Sequence, residues 1–226
     1  RLLWAIAHIF WTIEWLKVLW SDEVTFFVGG RTVKQRVTRK RGERTCPTCI
    51  QHQFHRGHTT PVSAWGAIGY GYKSPLVFVN GTGKKGAFKQ MDYLSQILQP
   101  HIESIINAFA IVTHKLRPVG LVNPLFMEDG NPAHGHKSKT NCCAKFRTVH
   151  GIILMPHPST SPDMNPIEKC WRKIKQALHR RRKQPTTVAE MEAMVLEEWA
   201  RIPQEWIDSL ILKQEHWVNV LIERHG

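Results

Sequence analysis

Residues 18–28 read VLWSDEVTFFV, a run of β-branched and aromatic residues that predicts a β-strand. Side chains alternate between the two faces of a strand, so every second residue of this run shares one face. The face that carries Asp22 is otherwise apolar, and a carboxylate there costs several kcal/mol unless it is paired or binds a cation. Asp22 is therefore either an acid satisfied by neighbouring donors or a functional residue. Glu23 falls on the wetter face, where we expect no special role for it.

The rest of the chain reads as strands first, then alternating helix and strand, then helices. Residues 1–20 predict an amphipathic helix that runs into the first strand. Further strands are expected within residues 31–44, 62–71, 75–81, 121–129 and 151–156, and helices at residues 87–110, 137–146 and 166–183 and at two segments of the tail. This order predicts an α/β architecture, a mixed sheet flanked by helices.

The charge of the chain is large and unevenly distributed. The net charge is +13; residues 1–187 hold 28 Lys and Arg against 10 Asp and Glu, and residues 188–226 hold 3 against 8. A body this basic indicates a polyanionic partner, most simply nucleic acid, although a merely basic soluble protein remains the alternative. The apolar start of the chain is too short and too charged to span a bilayer, so we expect no membrane association.

Five cysteines without regular spacing do not form a disulfide framework and favour a reducing compartment. Cys46 and Cys49 form a CPTC motif, and His52, His55 and His58 follow it. These are zinc-ligand types, but their spacing matches no zinc pattern, so zinc is not expected. The alternative interpretation is a polar, basic loop.

Two further acids occupy informative positions. Asp129 follows an apolar run and precedes Gly-Asn-Pro, as either a turn residue or a ligand at the end of a strand. Glu168 lies in SPDMNPIEKCW, residues 161–171, where Asn165 can cap a helix and Glu168 fits a capping box three residues later. If both acids converge with Asp22, their repulsion requires cations, and two Mg²⁺ ions roughly 3.5–4 Å apart suit in-line phosphodiester chemistry.

Three motifs of this chain resemble those of the catalytic domain of DDE transposases in the mariner superfamily, an RNase H-like fold. WSDEVTF resembles the strand of the first Asp, with Asp22 in that position. FMEDGNPAH resembles the second motif, with Asp129 as its acid and His134 at its end, and SPDMNPIEKCW resembles the third, with Glu168. The match covers residues 1 to about 180. The 39 positions between Asp129 and Glu168 are a few more than the best-known branches have.

The resemblance implies that Asp22, Asp129 and Glu168 are the catalytic residues and hold two Mg²⁺ or Mn²⁺ ions, with Asp22 bridging both. It implies cleavage of DNA at transposon ends, which leaves a 3′-hydroxyl, and attack of that hydroxyl on target DNA. His134 is either close to this site or a capping or packing histidine. A non-catalytic, domesticated DNA-binding or assembly protein and an RNase H-type nuclease are the alternatives.

The same resemblance implies action in the nucleus and a homodimer as a candidate assembly. Relatives of this kind carry N-terminal helix-turn-helix modules, and nothing precedes the catalytic region here. We therefore do not expect this chain alone to recognise transposon ends.

We divide the chain into a catalytic domain, residues 1–183, and an acidic helical extension, residues 184–226, packed on it. The tail tryptophans Trp199, Trp206 and Trp217 are expected to pack its helices against the sheet or against a second subunit. In the helix after Glu168, an apolar stripe predicts core, and the basic residues predict a face that contacts DNA phosphates, unless they are only a solvated surface. The basic residues are Lys169, Arg172, Lys173, Arg180, Arg181, Arg182 and Lys183.

Overall fold

The computed structural model describes residues 1–29, 59–115, 123–136, 138, 140–181 and 183–225. The predicted hairpin within residues 31–44, the Cys and His residues from Cys46 to His58, and Arg182 lie outside this part of the chain. Within it, no helix is long and apolar enough to cross a membrane.

Five strands form one mixed sheet. They are β1 Val18–Val28, β2 Thr60–Gly69, β3 Tyr72–Lys73, β4 Val77–Val79 and β5 Leu125–Met127. The order is β3-β2-β1-β5, and β4 also pairs with β2. β1 runs antiparallel to β2 along most of its length and parallel to β5. The predicted strand at residues 151–156 is reduced to one bridge, between Phe126 and Leu154.

The described part of the chain contains eight α-helices. They are α1 Leu2–Ala7, α2 Gln90–Tyr93, α3 Glu103–Lys115, α4 Cys142–Val149, α5 Ile167–Arg180, α6 Val188–Ala200, α7 Gln204–Ile211 and α8 Gln214–Glu223. The first helix is shorter than expected, and a 3₁₀ turn at Ile13–Lys17 leads into β1. The tail holds three helices where two were predicted, because the extended backbone at Pro203 separates α6 from α7.

In place of the helix predicted at residues 87–110, residues 90–115 form one continuous helical rod. The turns in the middle of this rod are π-helical and therefore wider than α-helical turns. A π-helical segment, Leu94–Ile102, joins α2 to α3 and contains Pro100. Proline lacks the backbone N–H that an α-helical hydrogen bond needs, and a local π-helical turn accommodates that loss.

The sheet separates two hydrophobic clusters, as the alternation in β1 predicts. One face of β1 packs against the helices α5 to α8 through Val18, Trp20, Val24, Phe26 and Val28. The other face carries Leu19, which packs with Trp65 against the long helical rod. Trp199 of the tail is only 4% exposed and belongs to the first cluster, so the acidic tail covers the face of the sheet that carries Asp22.

Gly69, at the end of β2, has no room for a side chain. A Cβ atom there would lie 2.3 Å from Cε2 of the fully buried Phe109. We expect Gly69→Ala to lower the free energy of unfolding by about 1–3 kcal/mol, the usual cost of overpacking a core, as measured by urea denaturation. Gly130→Ala is the control, since its Cβ would meet no atom within 4 Å. Equal stability of the two variants would contradict this account.

Candidate active site

Asp22 lies in the middle of β1, opposite Gly66 of β2. Its Oδ2 atom accepts a hydrogen bond of 3.0 Å from the indole Nε1–H of Trp171. Burial, followed by the negative charges of Glu23, Glu168 and Asp129, raises the pKa of Asp22 from 3.8 to about 8. The three acids predicted from the sequence are therefore close enough to repel one another.

The glycine opposite Asp22 makes room for its hydrogen-bond donor. A Cβ at Gly66 would lie 3.1 Å from Cη2 of Trp171 and 2.9 Å from Cδ2 of Leu76. The Trp171 ring stacks on Trp199 of α6, with 5.2 Å between ring centroids. Trp171 was predicted only as part of an apolar stripe, and its indole N–H also serves the acid on the central strand.

The register of the sheet brings Asp129 beside Asp22. Trp20 of β1 pairs with Met127 of the parallel strand β5, and each acid lies two residues further along its chain. Asp129 Oδ1 accepts the backbone N–H of Asn131 at 2.9 Å, which forms the predicted turn.

His134 lies between two carboxylates and is 2% exposed. Its Nδ1 atom is 3.0 Å from Oδ1 of Asp129, and its Nε2 atom is 3.1 Å from Oε1 of Glu23. Although burial opposes it, the charges and hydrogen bonds of these two acids raise the pKa of His134 well above its usual value. Against the effect of burial, the hydrogen bonds from His134 and Asn131 lower the pKa of Asp129.

The expectation that Glu23 has no special role is wrong. Glu23, Asp129 and His134 each offer a ligand atom within 4.8 Å of the others, a spacing that could hold a metal ion. In the metal-free protein, a protonated His134 supplies the positive charge that these two acids need. The sequence left open whether His134 lies near the site or packs in the interior. It does both, because it is buried and contacts Glu23 and Asp129.

Glu168 lies in the first turn of α5, as predicted, but it does not form a capping box. The backbone N–H of Asn165 donates to the carbonyl of Pro162 at 3.1 Å instead of to Glu168. The side-chain Nδ2 of Asn165 donates to the carbonyl of Ser21 at 3.1 Å. Asn165 thus ties the start of α5 to β1, one residue from Asp22.

The carboxylate of Glu168 receives no hydrogen bond from any residue that the structure describes, and the same holds for Oδ2 of Asp129. Burial, and to a smaller extent Asp129, raises the pKa of Glu168, while Lys175 and Arg172 oppose that rise. Carboxylate oxygens without protein donors are the ligands that Mg²⁺ and Mn²⁺ prefer. Their free oxygens are therefore available to a divalent ion, but among the described residues the ligand atoms that lie within 4.8 Å of one another belong to Glu23, Asp129 and His134 and not to the three predicted acids together.

A second buried acid supports the loop that carries Asp129. Glu128 is 3% exposed; its Oε1 accepts the hydroxyl of Tyr93 at 2.5 Å, and Arg147 lies 3.0 Å from its Oε2. Arg147 also donates to the carbonyl of His134 at 2.8 Å. Sequence reasoning missed this cluster. An acid directly after a buried strand was a usable signal for Glu128, whereas nothing local indicates Tyr93 or Arg147.

Part of the predicted basic face is engaged within the chain. Arg181 donates to Glu197 at 2.6 Å and also bonds Glu198, both in α6. Lys183 lies 3.0 Å from Glu190. These contacts correct the picture of a free phosphate-binding run, because the acidic tail already neutralises both cations.

Lys173 and Lys169 each lie against a tryptophan ring, 4.4 Å from the centroid of Trp206 and 4.6 Å from that of Trp217. Within the described part of the chain, neither of these lysines forms a salt bridge, and the same holds for Arg172 and Arg180. These four residues are the members of the predicted face that remain available to phosphates.

The acids lie between two clefts of different character. One, of about 490 Å³, borders Asp129 and is lined by His136 and His157, whose pKa values burial lowers to about 4. Its histidines are therefore neutral at physiological pH. The other cleft, of about 550 Å³, borders Glu168 and is lined by cationic side chains, among them Lys169.

Comparison with known proteins agrees with this geometry. The fold is that of an RNase H-like catalytic domain. Residues 17–189 match the family model described as DDE superfamily endonuclease, and the chain belongs to that family.

Among relatives, the chain is 28% identical over 240 residues to the transposable element Tc1 transposase of Caenorhabditis elegans, and 26% identical over 233 residues to the Tcb1 transposase of Caenorhabditis briggsae. Each alignment covers the whole chain and 75% of the relative.

Among solved structures, a pre-cleavage Mos1 transpososome matches with a TM-score of 0.69 at 11% identity, over 94% of this chain and 56% of that one. The catalytic domain of Mos1 mariner transposase alone matches with a TM-score of 0.62 at 12% identity, over 93% of this chain and 82% of that domain. The chain thus spans little more than half of the full Mos1 chain.

The hydrogen bond from Trp171 to Asp22 gives a pH-dependent prediction. Trp171→Phe keeps an aromatic ring but removes the donor, and a bond to a charged partner contributes about 1.5–3 kcal/mol. In metal-free buffer we expect a larger loss of stability at pH 9 than at pH 6, because Asp22 is ionised above its pKa of about 8.

Trp199→Phe is the matched control, since Trp199 donates to the neutral carbonyl of Ser74 at 2.9 Å. Its loss of stability in urea should be the same at both pH values. A Trp171→Phe penalty that is equally independent of pH would argue against this bond to an ionising Asp22.

Proposed function

We propose that this chain is the catalytic domain of a DNA transposase, which cuts phosphodiesters at transposon ends and joins the resulting 3′-hydroxyl to target DNA. The observation that carries the proposal is the convergence of Asp22, Asp129 and Glu168 from β1, the loop after β5 and the first turn of α5. Burial, followed by the charges of Glu23, Glu168 and Asp129, raises the pKa of Asp22 to about 8, and a bound cation would offset this cost.

Asp22, Asp129 and Glu168 would hold two divalent ions, Mg²⁺ or Mn²⁺, with Asp22 shared. Bound ions of this kind supply Lewis-acid activation of the attacking oxygen and neutralise charge on the scissile phosphate. Solved Mos1 structures that contain Mn or Mg support this choice of ion by analogy. We do not propose zinc as a cofactor.

The remaining residues of the site orient the carboxylates. Trp171 fixes one oxygen of Asp22, and His134 with Asn131 fixes Oδ1 of Asp129, which leaves Oδ2 for the centre. Asn165 holds the start of α5 against β1, so Glu168 keeps its position relative to Asp22. Arg172 and Lys169, on the exposed side of α5, would attract the DNA backbone towards the acids.

The proposed partner is DNA, in line with a Mos1 structure in complex with a left transposon end. Action on chromosomal DNA also implies the nucleus as the compartment. Assembly as a homodimer belongs to the same proposal, with cooperation between two active sites as its purpose. A domesticated, non-catalytic descendant is disfavoured by the retention of all three acids in one neighbourhood.

Plasmid cleavage tests the catalytic assignment. We expect Mn²⁺- or Mg²⁺-dependent nicking by the intact chain, and Asp22→Asn, Asp129→Asn and Glu168→Gln should each reduce it by at least about 100-fold, because an interaction made in the transition state is removed. Glu205→Gln is the matched control, an acid in the first turn of another helix, α7. The enzyme proposal fails if no metal-dependent cleavage occurs even after fusion to a DNA-binding module.

The titration of Asp22 gives a second test. The pKa is about 8 in the folded chain and about 3.9 in an unfolded one, so the folded state binds more protons between these values. Stability in EDTA should therefore fall by up to about 1.4 kcal/mol per pH unit from pH 4 to pH 8, and this component should be missing in Asp22→Asn.

Adding Mg²⁺ should flatten that slope in the wild type only, since the cation favours the ionised carboxylate. The measurement is the difference between the urea unfolding free energies of the two proteins at each pH. Parallel curves with and without Mg²⁺ would exclude a cation at Asp22.

A further inference from the structure

The cleft beside Glu168 is lined by three parts of the chain that lie far apart in sequence, namely Arg1, residues 162–172 and residues 217–224. Its walls come from the segment around Asn165, the first turns of α5 and one side of α8. Lys169 and Arg172 of α5 face Arg224, which follows α8, and Trp217 of α8 lies in the wall. The tail therefore contributes a cation and an aromatic ring directly next to a proposed catalytic acid.

Positive charge is in excess in this cleft. Its charged lining consists of Arg1, Asp163, Glu168, Lys169, Arg172 and Arg224. Asp163 is neutralised by Arg1 at 2.5 Å. Within the described residues, neither Lys169 nor Arg172 nor Arg224 forms a salt bridge. Three unpaired cations in one cleft indicate a polyanionic occupant.

The aromatic wall adds a second feature. Trp217 is 36% exposed, although it lies in a helix whose Val218 and Leu221 are buried. The ammonium of Lys169 lies 4.6 Å from its ring centroid, a cation–π contact that holds the lysine at the cleft wall. An aromatic side chain among cations is the combination by which proteins bind single-stranded nucleic acid, since bases stack on the ring and phosphates meet the cations.

The size of the cleft favours a single strand over a duplex. Its volume of about 550 Å³ is in the range of small-ligand pockets, which accommodates one or two nucleotides. We propose that this cleft holds an unpaired DNA strand next to the cleaved phosphodiester, with its phosphates on Lys169, Arg172 and Arg224 and a base against Trp217. The proposal rests on the proposed function for its choice of DNA.

A binding assay without cleavage tests this site. A negative result in it can be told apart from a failure of the catalytic assignment, which the cleavage assay measures. Fluorescence anisotropy in EDTA would compare a duplex that ends in a short single-stranded tail with a blunt duplex of the same sequence. We expect tighter binding of the tailed DNA. Arg224→Gln should weaken only that preference and lower the salt slope for the tailed DNA by about 0.7.

Trp217→Leu should weaken binding of tailed DNA by about 5- to 150-fold, the range for loss of one base stack, and leave the salt slope unchanged. Lys145→Gln, an exposed lysine of α4 outside the cleft, is the control and should behave as the wild type. Circular dichroism of each variant verifies that α8 is retained. Equal losses for tailed and blunt DNA, or no loss for either, would overturn the proposal.

Discussion

The carboxylate of Asp22 on the buried face of the central strand is the constraint on which the surrounding structure depends. Burial and three neighbouring acids oppose its ionisation at once and raise its pKa to about 8. A strand built only for stability would carry an apolar residue at this position, as it does at Trp20 and Val24 on either side. The local cost therefore marks a functional requirement.

Charge compensation in the site is divided unequally among the acids. The protonated His134 serves Glu23 and Asp129, and Arg147 serves Glu128. Asp22 receives only polar donors, and Glu168 receives no hydrogen bond from the described residues. The outer acids are thus paired with cations of the protein, whereas Glu168 has the charges of Lys175 and Arg172 near it but no hydrogen bond from the described residues.

The sequence predicted best those strands in which successive side chains clearly belong to opposite faces of the sheet. The bounds of β1, residues 18–28, were predicted correctly. Its side chains alternate between two faces of the sheet, and a shift of one residue would move every side chain to the wrong face. Asp22 drew attention by its position on an apolar strand face, whereas Asp129 and Glu168 also fit a turn and a helix start, so their assignment depended on the resemblance of their motifs and stays a prediction. The capping box at Glu168 was a misleading local signal, since the backbone N–H of Asn165 donates to the carbonyl of Pro162 instead.

Long-range partners were beyond the reach of the sequence. The contact of Glu23 with His134 spans 111 positions, and that of Arg181 with the tail depends on how α6 packs beside α5. Alternation assigned Glu23 to the wetter face correctly, yet it could not supply the histidine that approaches from that side. The basic run at the end of α5 looked uniform by composition, although packing divides it into paired and unpaired cations.

The indole pair of Trp171 and Trp199 ties the outermost part of the chain to its innermost acid. One ring donates to Asp22, and the other, Trp199 of α6, lies beyond residue 189, where the family match ends. A shortened protein cut at that boundary would keep Asp22, Asp129 and Glu168 but lose the ring that stacks on the hydrogen-bond donor of Asp22. The C-terminal helices thus support the surroundings of Asp22 from the face of the sheet that carries it, and any partner that displaced them would remove this support.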